Sequence, residues 1–407
     1  MAGFLKSGLF FFIIVCAIST VSATIQVIPP ASDAISSDRI KDIAWSPDGQ
    51  VVFATDNGLS VYDGATGKWR ILHPDYGAAD DTGLMDDFVR AVAYDAQDRL
   101  WVGFGSGLQI VNEGIEGDNW SVIRDQHLLK SLIINDLQPR GGEMWVATGG
   151  SGLHRRVNGT WTWFGPRSET GPHAHQITGM AVDPRSGTLV VISEKEGVWY
   201  LDEGTDRFDP VIVRETPLAG ATGIVADPGG GVLLHTAQDV YHRAPNGTVS
   251  HLLAARDLDR HVTCIEDLAV TGTGLVLMAT DRGLFGWRDG AITLHLTRSD
   301  GIGSLVVRFL AVDGSGRLWY TVPGAAGMIP EIGSFEDPPL TRVPGDEAID
   351  EQPTQFIPPT PRQMPHPPDK SDTPWSEAVM DTLHRIVSLL MTPAGEIVPL
   401  PFLGGAG

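Results

Sequence analysis

Two cysteines in 407 residues, Cys16 and Cys264, leave little for disulfide chemistry. Cys16 lies in an N-terminal stretch that reads as an export signal, and the single cysteine that remains makes no internal disulfide. The core must therefore hold the fold. Cys264 sits in HVTCIEDL, inside an apolar strand pattern, and reads as an inert buried side chain. Positive charge is scarce as well: 29 Lys and Arg stand against 50 Asp and Glu, for a net charge of −21. Phosphate binding needs a basic face, so nucleic acid is excluded as the main partner, and adsorption to anionic lipid is disfavoured. Long apolar runs are nearly absent. The one that stands out, LFFFIIVCAIST at 9–20, is shorter than the ~18 residues a membrane span needs. No G-x-S-x-G, H-E-x-x-H, phosphate-binding loop or dinucleotide glycine fingerprint falls in a fitting context.

The apolar run follows Lys6 and ends in VSA at 21–23, small residues of the kind a signal peptidase accepts. Residues 1–23 are expected to be a cleaved signal peptide, and the protein to be secreted or on the exterior of the cell envelope. An uncleaved N-terminal anchor is the alternative. Lipidation of Cys16 is disfavoured, because Val15 stands where a small residue is needed.

Glycine is plentiful, 48 in all, and it recurs at intervals. The stretches LWVGFGSGLQIVNEG (100–114), MWVATGGSGLHRRVNG (144–159) and LVLMATDRGLFGWRDG (275–290) are versions of one another. Aligned on Val51, Leu100, Met144, Leu189, Val232, Leu275 and Leu318, the chain shows seven units at a propeller-like period. Each unit offers four short β-type pieces. The first ends in an Asp/Pro/Gly turn, as in IKDIAWSPDG and VRFLAVDGSG. The second carries Trp101, Trp145 or Trp319 at one place. The third follows a glycine: Gly58, Gly107, Gly152, Gly197, Gly283 and Gly327, with Asp239 in the fifth unit. The fourth follows Asp63-Gly64, Asn158-Gly159, Asn246-Gly247 or Asp289-Gly290, which read as type I′ hairpin turns. A four-stranded sheet apolar on both faces must stack on neighbours, and radial repetition closes the stack. The expected fold is all-β: a seven-bladed β-propeller of four-stranded antiparallel blades over 24–344. Thr24–Ile28 aligns with a fourth strand that precedes any blade, so it is expected to complete blade 7 beside 327–333. LTRV at 340–343 competes for that edge.

The units DRLWVGFGSGLQIVNEG and GRLWYTVPGAAGMIPEIG resemble the two-component regulator propeller repeat: a polar turn, then LWVGT, then GL and a hydrophobic–Asp–Gly turn. The resemblance covers about 24–335 and is clearest in units 1, 2, 3, 6 and 7. It implies an extracellular ligand-sensing propeller of the kind that often precedes a second β-domain, a membrane span and a histidine kinase. Nothing after residue 335 resembles a kinase or a membrane helix. The motif marks blade structure and transfers no site residue.

Beyond the propeller, residues 345–372 are proline-rich and read as a linker. Residues 373–391 read as an amphipathic helix, with Val379, Met380, Leu383, Ile386, Val387 and Leu390 in one apolar stripe; 392–407 form a tail. The stripe is expected to dock on the propeller, on a partner protein, or peripherally on a membrane.

Ligands of propellers meet the face that carries the blade-to-blade connectors. The longest connector, HPDYGAADDTGLMDDF at 73–88, holds Tyr76, Asp80, Asp81, Asp86 and Asp87, and with Asp75 its carboxylates offer hard oxygen ligands for Ca²⁺. The spacing matches no EF-hand, and a solvated acidic loop is the plainer reading. His173 and His175 alternate in GPHAHQIT, and His261 lies in an equivalent connector; zinc would need three or four converging ligands. These eight residues are the candidate ligand-binding set. No catalytic residue and no cofactor are assigned. The expectation is a non-enzymatic module that binds an extracellular ligand or an envelope protein. The alternatives are a carbohydrate-active enzyme on the connector face and an envelope scaffold that joins partners through the helix.

Overall fold

In the computed structural model, residues 25–28, 34–75, 83–112, 115, 119–330 and 332 are described. The signal peptide, the linker, the amphipathic helix and the 340–343 segment lie outside the described residues. Among the described residues, no helix is long and apolar enough to cross a membrane.

The chain forms seven four-stranded antiparallel sheets arranged as the blades of a propeller. Blade 1 is Ile40–Trp45, Gln50–Thr55, Gly58–Asp63 and Lys68–Leu72, counted from the inner strand outward. Blades 2 to 6 follow over 89–123, 134–164, 179–210, 223–254 and 265–296. Blade 7 takes three strands from the C-terminal side, Phe309–Val312, Leu318–Val322 and Ala325–Ile329. Its outer strand is Gln26–Ile28, with Gln26 opposite Met328 and Ile28 opposite Ala326. The ring therefore closes as expected, N-terminal strand against C-terminal blade. Two small elements decorate the connectors: a ribbon, Ile212–Val213 with Thr216–Pro217, and a helix, Ala255–Leu258.

The core is divided among the blade interfaces. Strand side chains alternate between faces, so one strand feeds two interfaces. Val51 and Phe53 pack with Trp319 and Met328 of blade 7, while Val52 and Ala54 pack with Val92 and Val102 of blade 2. Seven apolar clusters result, one between each pair of adjacent blades.

The polar turn and tryptophan of the repeat act together. Asp313 Oδ2 accepts the indole N–H of Trp319 at 2.8 Å and the Nε–H of Arg317 at 2.6 Å. Its Oδ1 accepts the amides of Ser315 and Arg317, which fixes the turn. Asp95 binds Trp101, Arg99 and the turn amides in the same way. Burial pushes Asp95 up, but these hydrogen bonds outweigh it and hold its carboxyl below the ordinary range. In blade 3 the acceptor is Glu143, which receives Trp145 Nε1–H at 2.9 Å. The lock seats a large buried ring and satisfies its only donor.

Three local expectations are corrected. Asn158-Gly159 and Asp289-Gly290 form two-residue turns with positive φ at both residues. Asp63-Gly64 and Asn246-Gly247 instead sit in longer loops, because Asp63 caps the amides of Ala65 and Thr66 and Asn246 caps Thr248. Gly58 and Gly283 adopt φ of +92° and +113°, and a Cβ there would strike the carbonyls of Leu72 and Leu296. Gly327 is not their counterpart. That register position is Ala325, opposite Val322, and Gly327 is small because the Tyr320 ring occupies its side-chain space. Cys264 is half-buried rather than buried. Its thiol donates to Glu266 at 3.1 Å, and burial followed by the Glu266 contact pushes its pKa up to about 11, so it is inert.

Replacing Trp319 by Phe removes one donor from a buried carboxylate and part of a ring that packs on Phe53, Tyr62 and Trp69. Urea unfolding of W319F is expected to show a loss of about 2–3 kcal/mol, and an unchanged midpoint would remove the lock from the account of stability.

Candidate functional site at the connector face and channel mouth

The inner strands line a central channel of about 630 Å³. Within it, three strands carry an aspartate at the same register position: Asp42, Asp136 and Asp267. Each uses one oxygen on its own strand and one on the next blade. Asp42 accepts the amides of Ile43 at 2.8 Å and Val92 at 2.9 Å. Asp136 accepts Leu137 and Met180, and Asp267 accepts Leu268 and Leu310. The three carboxylates thus clamp blades 1 to 2, 3 to 4 and 6 to 7. Blade 5 follows a blade whose matching residue is Gly179, so its inner strand receives no such clamp; Asp183 of blade 4 instead accepts the amide of Gly231 at 2.8 Å. The clamps line the channel and are half-buried, open to it on one side and enclosed by protein on the others. Burial raises all three, to about 6 for Asp136 and about 7 for Asp267. Asp42 lies well above the carboxylate range, from burial and then from the charges of Asp136 and Asp267. These aspartates were legible as a charge repeated inside otherwise apolar strands; a search for carboxylates confined to loops passes over them.

The channel opens toward the face built by the connectors and the turns between second and third strands. Several connectors are bonded to these turns, and the one holding His175 is gripped from both sides. The turn glycine of the blade being left donates its amide to the connector: Gly58 to the carbonyl of Asp87 at 2.6 Å, Gly152 to that of His175 at 2.9 Å, Gly283 to that of Leu305 at 2.6 Å. A turn carboxylate of the blade being entered binds the connector from the other side. Asp56 accepts from Ser37, Glu196 from the amides of His175 and Gln176, and Asp281 from Thr263.

The candidate residues fall within this lattice. Asp87 receives Gly58 through its backbone, and its carboxylate pairs with His73 Nδ1 at 2.8 Å. Asp86 accepts the amide of Phe88. His175 meets Glu196 through its amide and through Nδ1 at 3.0 Å. Burial pushes Glu196 up, but the bonds from His175 and Gln176 outweigh it and hold the carboxyl below its ordinary range. His261 receives the Nε–H of Arg260 and gives its amide to Asp259. His173 stands exposed with φ of +47°. Tyr76, Asp80 and Asp81 lie outside the described residues. Among the described residues, no group of three or more His, Cys, Asp or Glu side chains converges so as to hold a metal ion.

The structure does bring His175 into a cavity. Its walls are His175, Gln176, Thr178, Gly149 and the Ser193–Glu196 turn, around about 300 Å³. The same face carries three separate exposed apolar residues that the polar-residue search missed. Ile133 is 43% exposed and covers Gly149, where a Cβ would meet it at 2.7 Å. Trp163 is 45% exposed, pinned by its indole N–H to the carbonyl of Ser151 at 2.7 Å, and lies over Gly165. Phe88 is 41% exposed, with the guanidinium of Arg90 over its ring at 5.9 Å. Arg90 in turn donates to the carbonyl of Ile134 at 2.8 Å and to Asn135 Oδ1 at 2.6 Å, and Asn135 reaches the carbonyl of Ile177. This relay runs along the rim from blade 2 through blade 3 to the connector entering blade 4. The available signal was an aromatic or aliphatic residue at the end of a connector, for Phe88 and Ile133, or near the end of a fourth strand, for Trp163, with no apolar partner in the repeat pattern.

No family model matches the chain, and no curated protein does. Solved structures match in fold. The extracellular domain assigned to the hybrid two component system BT3049 of B. thetaiotaomicron superposes with a TM-score of 0.61 at 16% identity, over 75% of this chain and 42% of that one. That assigned to the one component system BT4673 of the same organism gives 0.58 at 16% identity, over 75% and 39%. The chain therefore spans about two fifths of those extracellular domains. A streptogramin B lyase matches at 0.56 and 10% identity, over 75% of this chain and 96% of that one. At these identities the likeness is one of fold, and it agrees with the sensor-type propeller that the repeat resembles.

The raised carboxyls give a pH signature. Their folded pKa values lie above the unfolded value, so the folded state holds extra protons. That contribution is fully present below about pH 4 and is lost as pH rises through about 6 to 7. Stability to urea is expected to fall between pH 5 and pH 8. In Asp267→Asn the amide cannot accept both backbone N–H groups, so stability at pH 5 drops by about 1–2 kcal/mol while the slope flattens. A slope identical to that of the unmodified chain would remove Asp267 as its source.

Proposed function

We propose that this chain is a binding propeller working outside the cytoplasm, taking a ligand or a protein partner on its connector face. The observation that carries this reading is the exposure of Phe88, Ile133 and Trp163 on this face, each by 41–45%, with Trp163 pinned by its indole N–H and Phe88 flanked by Arg90. Large apolar side chains fixed in water mark a surface that another molecule covers. The cavity beside them adds His175, Lys195 and Glu196 as polar groups that orient what is bound. The fold neighbours that are extracellular domains of regulatory systems support both the binding role and the location. A net charge of −21 supports a ligand or protein rather than nucleic acid.

The test uses the full chain to capture binders from envelope extract and from a glycan array. Ile133→Asp with Trp163→Ala is expected to weaken the captured interaction at least tenfold, about 1.4 kcal/mol. Trp45→Ala, at an exposed tryptophan on the opposite end of an inner strand, is expected to leave it unchanged. The reverse outcome moves the binding surface to the other face and overturns the assignment.

A further inference from the structure

The face opposite the connectors carries a second cavity, between blades 2 and 3. It encloses about 250 Å³ and is walled by Asp95, Arg99, Trp101, the Gly141-Gly142 turn, Arg156 and the Asn158-Gly159 turn. Arg156 projects from the third strand of blade 3. Its guanidinium sits over Trp101 at 5.3 Å and Trp161 at 5.9 Å. Its Nε is buried and has no hydrogen-bond partner.

The neighbouring charges are already spent on one another. Asp95 is held by Arg99 and by Trp101. Glu143 is held by Arg140 at 3.0 Å and by Trp145. Arg140 also pairs with Glu203, and Arg155 takes Asp206 through both terminal nitrogens. The wall itself holds two cations, Arg99 and Arg156, and two anions, Asp95 and Glu143; Asp95 is bonded to Arg99 and Glu143 to Arg140, which leaves Arg156 without an ion pair of its own. Burial and then the charge of Arg99 lower its pKa, and the nearby charge of Asp95 offsets them only in part. Gly141 and Gly142 leave the opposite wall open, for a Cβ at either would meet nothing within 4 Å.

We propose that this cavity binds an oxyanion, a carboxylate or sulfate carried on a small acidic molecule, with Arg156 as its counter-ion. A guanidinium presents paired donors in a plane that matches the two oxygens of such a group. The two indoles beneath keep that plane fixed and exclude water from one side of it. Asn158 and the backbone of the two glycine turns lie at the rim as further donors. The site is separate from the connector face and does not depend on what binds there.

The test is a titration of the full chain with sodium acetate and with sodium sulfate at constant ionic strength, read from arginine Nε–H resonances and from calorimetry. One saturable site in the millimolar range is expected, the affinity of about one or two charge-assisted contacts. Arg156→Met is expected to abolish it. Gly142→Asp, which sets a carboxylate on the open wall without touching Arg156, is expected to weaken it at least tenfold in a chain whose fold is otherwise intact. Saturation by sulfate but not acetate, or the reverse, assigns the oxyanion. No saturation by either, or equal binding in both variants, overturns the proposal and leaves Arg156 as a packing cation on two tryptophans.

Discussion

A carboxylate on one inner strand holding a backbone amide on the next is the contact on which the ring depends. The apolar interfaces between blades are large but non-directional, so they press blades together without setting how far one slides along another. Asp42, Asp136 and Asp267 supply that direction. Each joins two adjacent inner strands at one height along the channel. The cost is a buried carboxyl, which the protein meets in part by raising its pKa so that a proton neutralises it. Three clamps fix three of the seven joints. Ring closure by Gln26–Ile28 and the connectors hold the rest.

The two faces of the propeller are built on different chemistry. On the underside, the turn before each second strand is closed by side chains: a carboxylate, an arginine and an indole in blades 2 and 7, with Glu143 as the acceptor in blade 3. On the connector face the backbone and side chains share the work: turn glycines donate to the connector carbonyls of Asp87, His175 and Leu305, and the turn carboxylates Asp56, Glu196 and Asp281 accept from connectors. Where a backbone carbonyl carries the bond, the connector side chain is free to vary without loosening the blade beneath.

Much of the fold was legible because strand spacing, turn residues and the tryptophan each recur at a fixed place. Ring closure was legible too, since Thr24–Ile28 has the pattern of a fourth strand with no blade before it. What misled were residues whose type has two causes. Gly327 resembles the turn glycines but is small on account of Tyr320, two strand positions away from the true counterpart. Asp63 and Asn246 resemble hairpin residues, yet their side chains cap loops of greater length. The site was less legible for the same reason. Asp87 and His175 were chosen as polar connector residues. Their backbone carbonyls, which any residue possesses, do the structural work, and only geometry shows which side chain is left to face a cavity.

Charge completes this division. The chain is strongly acidic, and Arg99, Arg140, Arg155 and Arg317 pair with carboxylates within or between blades. Each such pair is neutral at short range, so the excess negative charge resides on residues that have no cation to meet. A ligand approaching the connector face meets a field that repels anions, while apolar contact through Trp163 and Ile133 is indifferent to it. If the connector face binds as proposed, recognition there rests on shape and apolar area, with the His175–Glu196 pair giving orientation. The proposed anion site answers the same field differently, setting a guanidinium over two aromatic rings with no carboxylate bonded to it. Net charge and local site then act in opposite senses: the first disfavours anions near the surface, and the second offers one cation to those that arrive.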